Sequence, residues 1–508
     1  MRYNAPTALA AWLLPVLGLF SGASAVVNER LATAQIQSRL PSLLSQEATL
    51  TFPGNDKWDG LNVRAATPRL HPGYIAVVEV ATERDVQNII RFANEIEVPF
   101  LVVSGTHGFS NRLMDAQSAI QINMRRMNSI SLAEDGASVT IGGGTLQYEL
   151  VDYLYPHGKQ AIHGTCQCIS VAGPLLGGGH GVLQAKAGFH ADQLLSATIV
   201  TADGSIVTAS DYENQDLFWA LRGAGHNFGV VTSLTLRTYD EYLEDWHADF
   251  MTFSQDKFDA YLDTWTRLEE EIEDAGVLVL NGHFIRIPEV DPDNLILDMQ
   301  FFWQGNESAI EAYKTAFRAL EPITEEVSGP LSWQRFFKEA NMGPEAPICT
   351  PNTNLWGFPN SLAKFDNQAM RNGFDLLSEL TEDPKFASSS WILQSPGGKK
   401  GHDHHGFPPM YNAVPDEERD NHLLMVVGMN WQGEDPADTA KAQRYGKAFQ
   451  AAAQGGDMTY HHTYINYAPG LEEVESIYGH DEVRLTKLRA LKKYWDPNNR
   501  FGFYAPIA

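Results

Sequence analysis

Three loops crowded with glycine restrict what this chain can fold into more than any other feature. The first, Ser104-Gly105-Thr106-His107-Gly108-Phe109-Ser110, directly follows an apolar run that ends at Val103. The second, Gly142-Gly143-Gly144, follows Ser138 to Ile141. The third opens at Gly164-Thr165-Cys166, passes Gly173, and closes on Gly177-Gly178-Gly179-His180-Gly181. Small residues at a strand end let backbone N–H groups gather around an anion. Glycine also serves tight turns for backbone reasons alone, so one such loop says little. None matches the dinucleotide or Walker spacing of glycines. Three in one half of a chain predict a ligand cradle on a rigid scaffold.

The surrounding pattern supplies that scaffold. Tyr74 to Val80 reads as a strand, Thr82 to Ile96 as an amphipathic helix and Phe100 to Ser104 as a strand. Thr82 and Asp85 stand at capping-box spacing, and Val86, Ile89, Ile90 and Ala93 recur at helical period. Strand, helix, strand implies an α/β region up to about residue 240. Beyond Glu241 the texture changes. Val277 to Ile287, Leu295 to Trp303, Ser388 to Leu393 and Leu423 to Trp431 read as strands of one broad sheet. Helical patterns at Asp256 to Ala275, Glu307 to Leu320, Asn367 to Leu380 and Ala437 to Gly455 would cover one face of it. The expected class is therefore α+β.

Lys and Arg total 37 and Asp and Glu 63, a formal charge of −26. That balance argues against nucleic acid, which needs a basic face, and against anionic lipid, and points to a small molecule as partner. Arg2, the apolar stretch Ala8 to Phe20 and Ala23-x-Ala25 predict an export leader over residues 1–25, with the mature chain starting at Val26. The stretch, roughly 13 residues and broken by Pro15, falls short of the ~20 a membrane anchor needs. The expected location is secreted or in the secretory-pathway lumen, where Asn306-Glu307-Ser308 is a glycosylation sequon. The cysteines are Cys166, Cys168 and Cys349, so at most one disulfide forms. In an extended segment Cys166 and Cys168 would face the same side.

Two nucleophiles, His107 and Cys166, sit inside the glycine loops. Imidazole and thiolate both add to an electron-poor ring such as an oxidised flavin. In chain order, Ser104-Gly105-x-His107, Gly164-Thr165-Cys166 with Gly177 to Gly181, Asp216 to Gly223 with Asn227 to Thr232, Tyr464-x-Asn466-Tyr467 and Trp495 to Asn499 resemble a known family. It is the berberine-bridge-enzyme-like FAD-linked oxidases of the vanillyl-alcohol-oxidase superfamily, in their fungal secondary-metabolism form.

The resemblance implies a PCMH-type FAD-binding domain over residues 26–240 (core about 66–240). It also implies a substrate domain over 241–458, with a broad antiparallel sheet covered by helices, and a tail, 459–508, returning to the FAD half. FAD would be bonded to His107 and also to Cys166, leaving Cys168 to pair with Cys349. Ser104 to Ser110 would hold the pyrophosphate. Gly164, Thr165, Ile169, Gly173, Gly177, Gly178, Gly179, His180, Gly181, Val230 and Tyr467 would line the rest. Tyr464 and Asn466, two apart on an expected strand, would form the catalytic face, with Tyr464 as base. A tyrosine of pKa ~10 needs a positive or hydrogen-bonding neighbour for that task. Dioxygen would be the acceptor and the chain a monomer or weak homodimer.

Two residue choices set this chain apart. The Leu423 to Trp431 strand is nearly all apolar where many relatives carry Gln or Glu, which predicts a fairly apolar substrate: an alcohol, phenol, amine or polyketide-like intermediate. Ile169 stands where the family controls dioxygen access. A carbohydrate substrate is the alternative within the family. A rival from another class is a secreted metal-binding protein using His402-Asp403-His404-His405 and His461-His462, though no H-E-x-x-H helix supports it.

Overall fold

The computed structural model describes residues 16–64, 67–240, 245–271, 277–305, 307–350, 353–397, 408, 410–420, 423–455 and 461–507. Residues 1–15 of the expected leader, Asn306 of the sequon and His402 to His405 lie outside the described residues, as do both expected domain boundaries, near 241 and 458.

Strands β1 (Thr49–Thr51), β2 (Gly73–Glu79), β3 (Phe100–Val103) and β4 (Gln117–Asn123) form a sheet in the order β1-β2-β4-β3. Its β4 runs parallel to both β2 and β3. Parallel strands need a crossover, and the Glu83–Glu95 helix provides it. The expected capping box closes its first turn: the Asp85 amide donates to Thr82 Oγ1 at 3.1 Å and the Thr82 amide to Asp85 Oδ2 at 2.9 Å. Val86, Ile89, Ile90 and Ala93 are fully buried against the sheet.

Next come β5 (Ile130–Leu132), β6 (Ser138–Gly142), β7 (Lys159–Gln160), β8 (Leu194–Val200), β9 (Ile206–Ser210), β10 (Val230–Arg237) and β11 (Tyr239–Asp240). Five of them build an antiparallel sheet, β5-β6-β10-β8-β9, while β7 pairs with β11. The glycine loops leave the ends of β3 and β6 and follow β7.

The second half contains β12 (Trp246–Ser254), β13 (Val277–Ile285), β14 (Ile296–Gln304), β15 (Thr324–Glu326), β16 (Asn354–Leu362), β17 (Ser390–Pro396) and β18 (Leu423–Trp431). They form one antiparallel sheet, β15-β12-β14-β13-β17-β18-β16. Alternation along β13 shows how it is built. Leu278, Leu280 and Phe284 enter an aromatic core with Tyr261 and Trp265 of the Phe258–Glu271 helix and with Trp391. Gly282 allows this contact, because a Cβ there would stand 2.7 Å from Tyr261 Oη and from the Trp265 ring. The intervening residues Val279, Asn281, His283 and Ile285 face the first half of the chain.

The tail departs from expectation. Tyr464-Ile465-Asn466-Tyr467 is a 3₁₀ turn rather than a strand, closed by the Tyr467 amide on the Tyr464 carbonyl at 2.9 Å. Short-range turn bonds win here because, among the described residues, no strand pairs with this segment. The tail packs back on the first half: Asn227 Nδ2 donates to Tyr478 Oη at 2.8 Å and to the Ala505 carbonyl at 2.9 Å. Among the described residues no helix is long and apolar enough to cross a membrane.

Candidate active site

Beyond Val103 the first glycine loop packs onto the third. A Cβ on Gly105 would lie 2.6 Å from the Ser170 nitrogen, so only glycine permits this approach. Thr106 adopts φ 56°, the left-handed region that a β-branched residue enters only under constraint. This turn sets His107 Nε2 at 3.3 Å from Cys168 Sγ, while Nδ1 is buried with no hydrogen-bond partner. Burial, reinforced by the Arg64 guanidinium, lowers His107 to about 4. The imidazole is therefore neutral near pH 7 and keeps a nucleophilic lone pair.

Cys168 is bonded to Cys349, with S–S 2.01 Å, and Cys166 is left as the free thiol. The segment is not extended: the Ile169 amide donates to the Cys166 carbonyl at 3.3 Å and closes a turn, so strand alternation does not govern these two cysteines. Burial pushes the Cys166 thiol up, partly offset by the Thr165 hydroxyl.

A cavity of about 810 Å³ runs between these loops and the broad sheet. All the predicted site residues line it except Ser110, Gly177, Gly178 and Gly179. These four stand behind the wall and shape it. The Ser110 hydroxyl donates to the Tyr504 carbonyl at 2.8 Å, and Gly177 abuts the Asn466 side chain. Gly178 and Gly179, at φ 100° and 82°, turn the chain toward His180.

Tyr464 and Asn466 do meet. Asn466 Nδ2 donates to Tyr464 Oη at 2.7 Å and to the Pro174 carbonyl at 2.9 Å, and the His180 amide donates to Tyr464 Oη at 3.2 Å. Burial nevertheless pushes Tyr464 well above its ordinary value, the two donors only moderating it. Behind it, Glu418 accepts from His180 Nε2 at 2.6 Å and His462 Nε2 at 2.5 Å, all three buried. Burial opposes ionisation of Glu418, yet His462 and His180 hold its carboxyl well below the usual range. His462 is thus committed to a carboxylate, and His461 Nε2 lies 3.0 Å from Asn360 Oδ1. Among the described residues no cluster suits a metal ion.

The sheet floor is mixed. From β18 the apolar Val426 and Gly428 line the cavity together with Asn430, and Val279, Ile285, Ile392 and Pro396 of β13 and β17 add apolar surface. Among these stand polar groups, Asn281, His283, Gln300, Ser390 and Gln394, and Tyr467 Oη donates to Gln394 Oε1 at 3.1 Å. Polar residues two apart in an otherwise apolar run, as at Asn281 and His283, were the available signal. Their shared face needs the register to be seen.

The wall also has an unusual charge. Among the described residues lining it there is no Asp, Glu or Lys, although the chain carries −26 overall. Arg64 and Arg500 line it, and Arg64 Nε is buried without a partner. Ser104 Oγ is likewise buried and unpartnered. Orphaned donors and a carboxylate-free wall beside glycine loops suit an anionic pyrophosphate, so the residues present fit FAD. Neither arginine was singled out from sequence.

Residues 74–210 match the model of the FAD binding domain family. The chain is 32% identical to FAD-linked oxidoreductase chyH of Penicillium rubens, covering 100% of both chains. It is 31% identical to FAD-linked oxidoreductase fmqD of Aspergillus fumigatus, covering 98% of each. Among solved structures, a variant of berberine bridge enzyme superposes with TM-score 0.77 at 17% identity, covering 93% of this chain and 99% of that one. Xylooligosaccharide oxidase from Myceliophthora thermophila superposes with TM-score 0.76 at 23% identity, covering 93% and 98%. Sequence identity along the whole length, the shared fold and a cavity suited to the flavin nucleotide agree: the chain belongs to the berberine-bridge-enzyme-like FAD-linked oxidoreductases.

Proposed function

We propose that this oxidoreductase holds FAD through His107 and Cys166 and oxidises a small uncharged metabolite at the floor formed by β13, β17 and β18. The observation that carries this reading is the single cavity wall shared by two nucleophiles, three glycine loops and a polar sheet face. Bound FAD would accept a hydride from the substrate and pass the two electrons to dioxygen, giving hydrogen peroxide.

The chain's own residues do the rest. His107, neutral at ordinary pH, is ready to form a bond, whereas Cys166 must first lose a proton that its burial retains. Arg64 and the loop amides would hold the pyrophosphate. Tyr464, fixed by two N–H donors, can take the substrate's hydroxyl or amine proton only as its phenolate, because the neutral phenol already holds a proton. Burial raises Tyr464 and keeps that form scarce, so the share of active base, and with it the rate of proton transfer, rises with pH. Ile169 narrows the path by which dioxygen arrives. The disulfide ties the 164–170 loop to Cys349, beside Pro347 and Ile348 on the same cavity wall, and so keeps the two sides of the site in register.

The polar floor also favours a second reading, a polyhydroxylated carbohydrate, whose hydroxyls would pair with Asn281 and Gln394. Export through the secretory pathway, a role in secondary metabolism and a monomer or weak homodimer complete the proposal. Acid precipitation of the purified protein tests its base: flavin that stays with the pellet supports covalent attachment, and a colourless pellet and supernatant would end the proposal.

A further inference from the structure

Across the cavity floor, side-chain hydrogen bonds form a row with a direction. Asn281, on β13, stands directly opposite Gln300 on β14 and Gln394 on β17. Residues so paired share one face and have Cβ atoms about 5 Å apart. At one end Asp298 accepts from Gln300 Nε2 at 2.6 Å. Asp298 is buried, and burial pushes it up to about 6, partly offset by the Gln300 amide. Gln300 turns its NH₂ toward Asp298 and its oxygen toward Asn281. Asn281 Nδ2 donates to that oxygen.

One acceptor is left over. Asn281 is 8% exposed, lines the cavity, and its Oδ1 has no hydrogen-bond partner. Two residues on, along the same face of β13, His283 Nε2 is buried and also unpartnered. Beside them Gln394 Oε1 accepts from Tyr467 Oη, which leaves the Gln394 NH₂ as a donor. Buried polar atoms without partners in a ligand cavity mark the place of a ligand's polar groups.

We propose that the substrate is a lactam or other cyclic amide, laid across β13 and β17 with its N–H donated to Asn281 Oδ1 and its carbonyl accepting from the Gln394 side chain. This rests on the reading of the cavity as the substrate site. A ring amide shows one donor and one acceptor on the same edge, as the floor demands. An alcohol or phenol carries both functions on a single oxygen, whereas the ring amide places them on two neighbouring groups, one for each side chain. Asp298 acts at a distance as a positioning residue, since it orients the row without touching the ligand.

Calorimetric titration of the purified holoprotein with quinolin-2(1H)-one and its N-methyl derivative tests this. The N–H compound is expected to bind about tenfold more tightly. Asn281→Ala should abolish that difference, and Gln394→Ala should weaken both compounds. Asp298→Asn, which removes the carboxyl group, should narrow the preference between the two probes. If Asn281→Ala does not yield soluble protein, Asn281→Ser reads the same contact. Equal affinities, no binding of either compound, or a preference that survives loss of Asn281 would overturn the inference. So would efficient flavin reduction by cellobiose in a protein the lactam does not inhibit. A flavin-loaded protein reduced by another substrate but blind to the N-methyl group defeats this inference alone. A protein that never carries flavin defeats the oxidase reading, and the titration still reads the floor.

Discussion

The Asn466 side-chain amide donates to the Tyr464 hydroxyl across 2.7 Å, and the His180 main-chain amide donates to the same oxygen. Two donors on one phenol oxygen favour its phenolate, the form that can accept a proton, and keep its orientation. Tyr464→Phe is expected to slow anaerobic flavin reduction about 10²–10⁴-fold while leaving bound flavin intact. Stopped-flow absorbance at the flavin band measures it, and an unchanged rate would remove Tyr464 from the proton transfer.

Flavin attachment separates the two nucleophiles. His107→Ala should still retain flavin on denaturation if Cys166 is bonded, and should release it if the histidine bond is alone. The double replacement of His107 and Cys166 should give flavin that is fully released by acid. Mass spectrometry of tryptic peptides reports both links.

The Glu418 carboxylate is shared by His180 and His462 in a fully buried cluster. Removing one member of such a set strands its partners, so Glu418→Ala should cost about 3–5 kcal/mol of stability. Denaturant titration reads this. The same variant should slow flavin reduction, because His180 carries one of the two donors to Tyr464.

The Cys168–Cys349 bond closes a loop of 181 positions in sequence. Loss of it through Cys349→Ser should lower stability by about 2–4 kcal/mol. It should also loosen His107, whose Nε2 touches Cys168 Sγ. A lower midpoint in urea with a steeper slope, from the more expanded unfolded chain, would bear this out.

Several buried histidines impose a pH dependence. Burial lowers His107, His163, His226 and His283 to about 4, and His190 to about 3, from an ordinary value of 6.5. Between those values the unfolded chain binds more protons than the folded one, so stability rises with pH there. The contribution is complete above about pH 6.5 and falls as pH drops toward 4, by on the order of 1.4 kcal/mol per pH unit for each histidine. Urea midpoints that stay level between pH 7 and pH 4.5 would contradict it.

How far the sequence could be read depended on the range of the interaction involved. The Thr82 cap and the Leu423–Trp431 strand follow from local pattern, and both appear where expected. The Tyr464-x-Asn466 pair was found with the wrong backbone, since spacing by two is shared by strands and tight turns. Trp246–Ser254 and Asn354–Leu362 escaped notice as strands because Asp249, Asn354 and Asn360 interrupt their apolar runs; in the fold each is buried with a hydrogen-bond partner. Arg64, Asn281 and Gln394 were invisible as site residues, because nothing local tells which buried polar group faces a cavity.

A cavity wall free of carboxylates among its described residues, inside a chain with 63 acidic residues against 37 basic ones, sorts molecules before any of them is bound. Repulsion at the outer surface slows a carboxylated compound before it reaches the cavity. Neutral and cationic compounds meet no such barrier. Salt collapses the outer field to about 10 Å at 0.1 M, so the ionic strength of the surroundings decides how strictly acidic metabolites are turned away at the entrance.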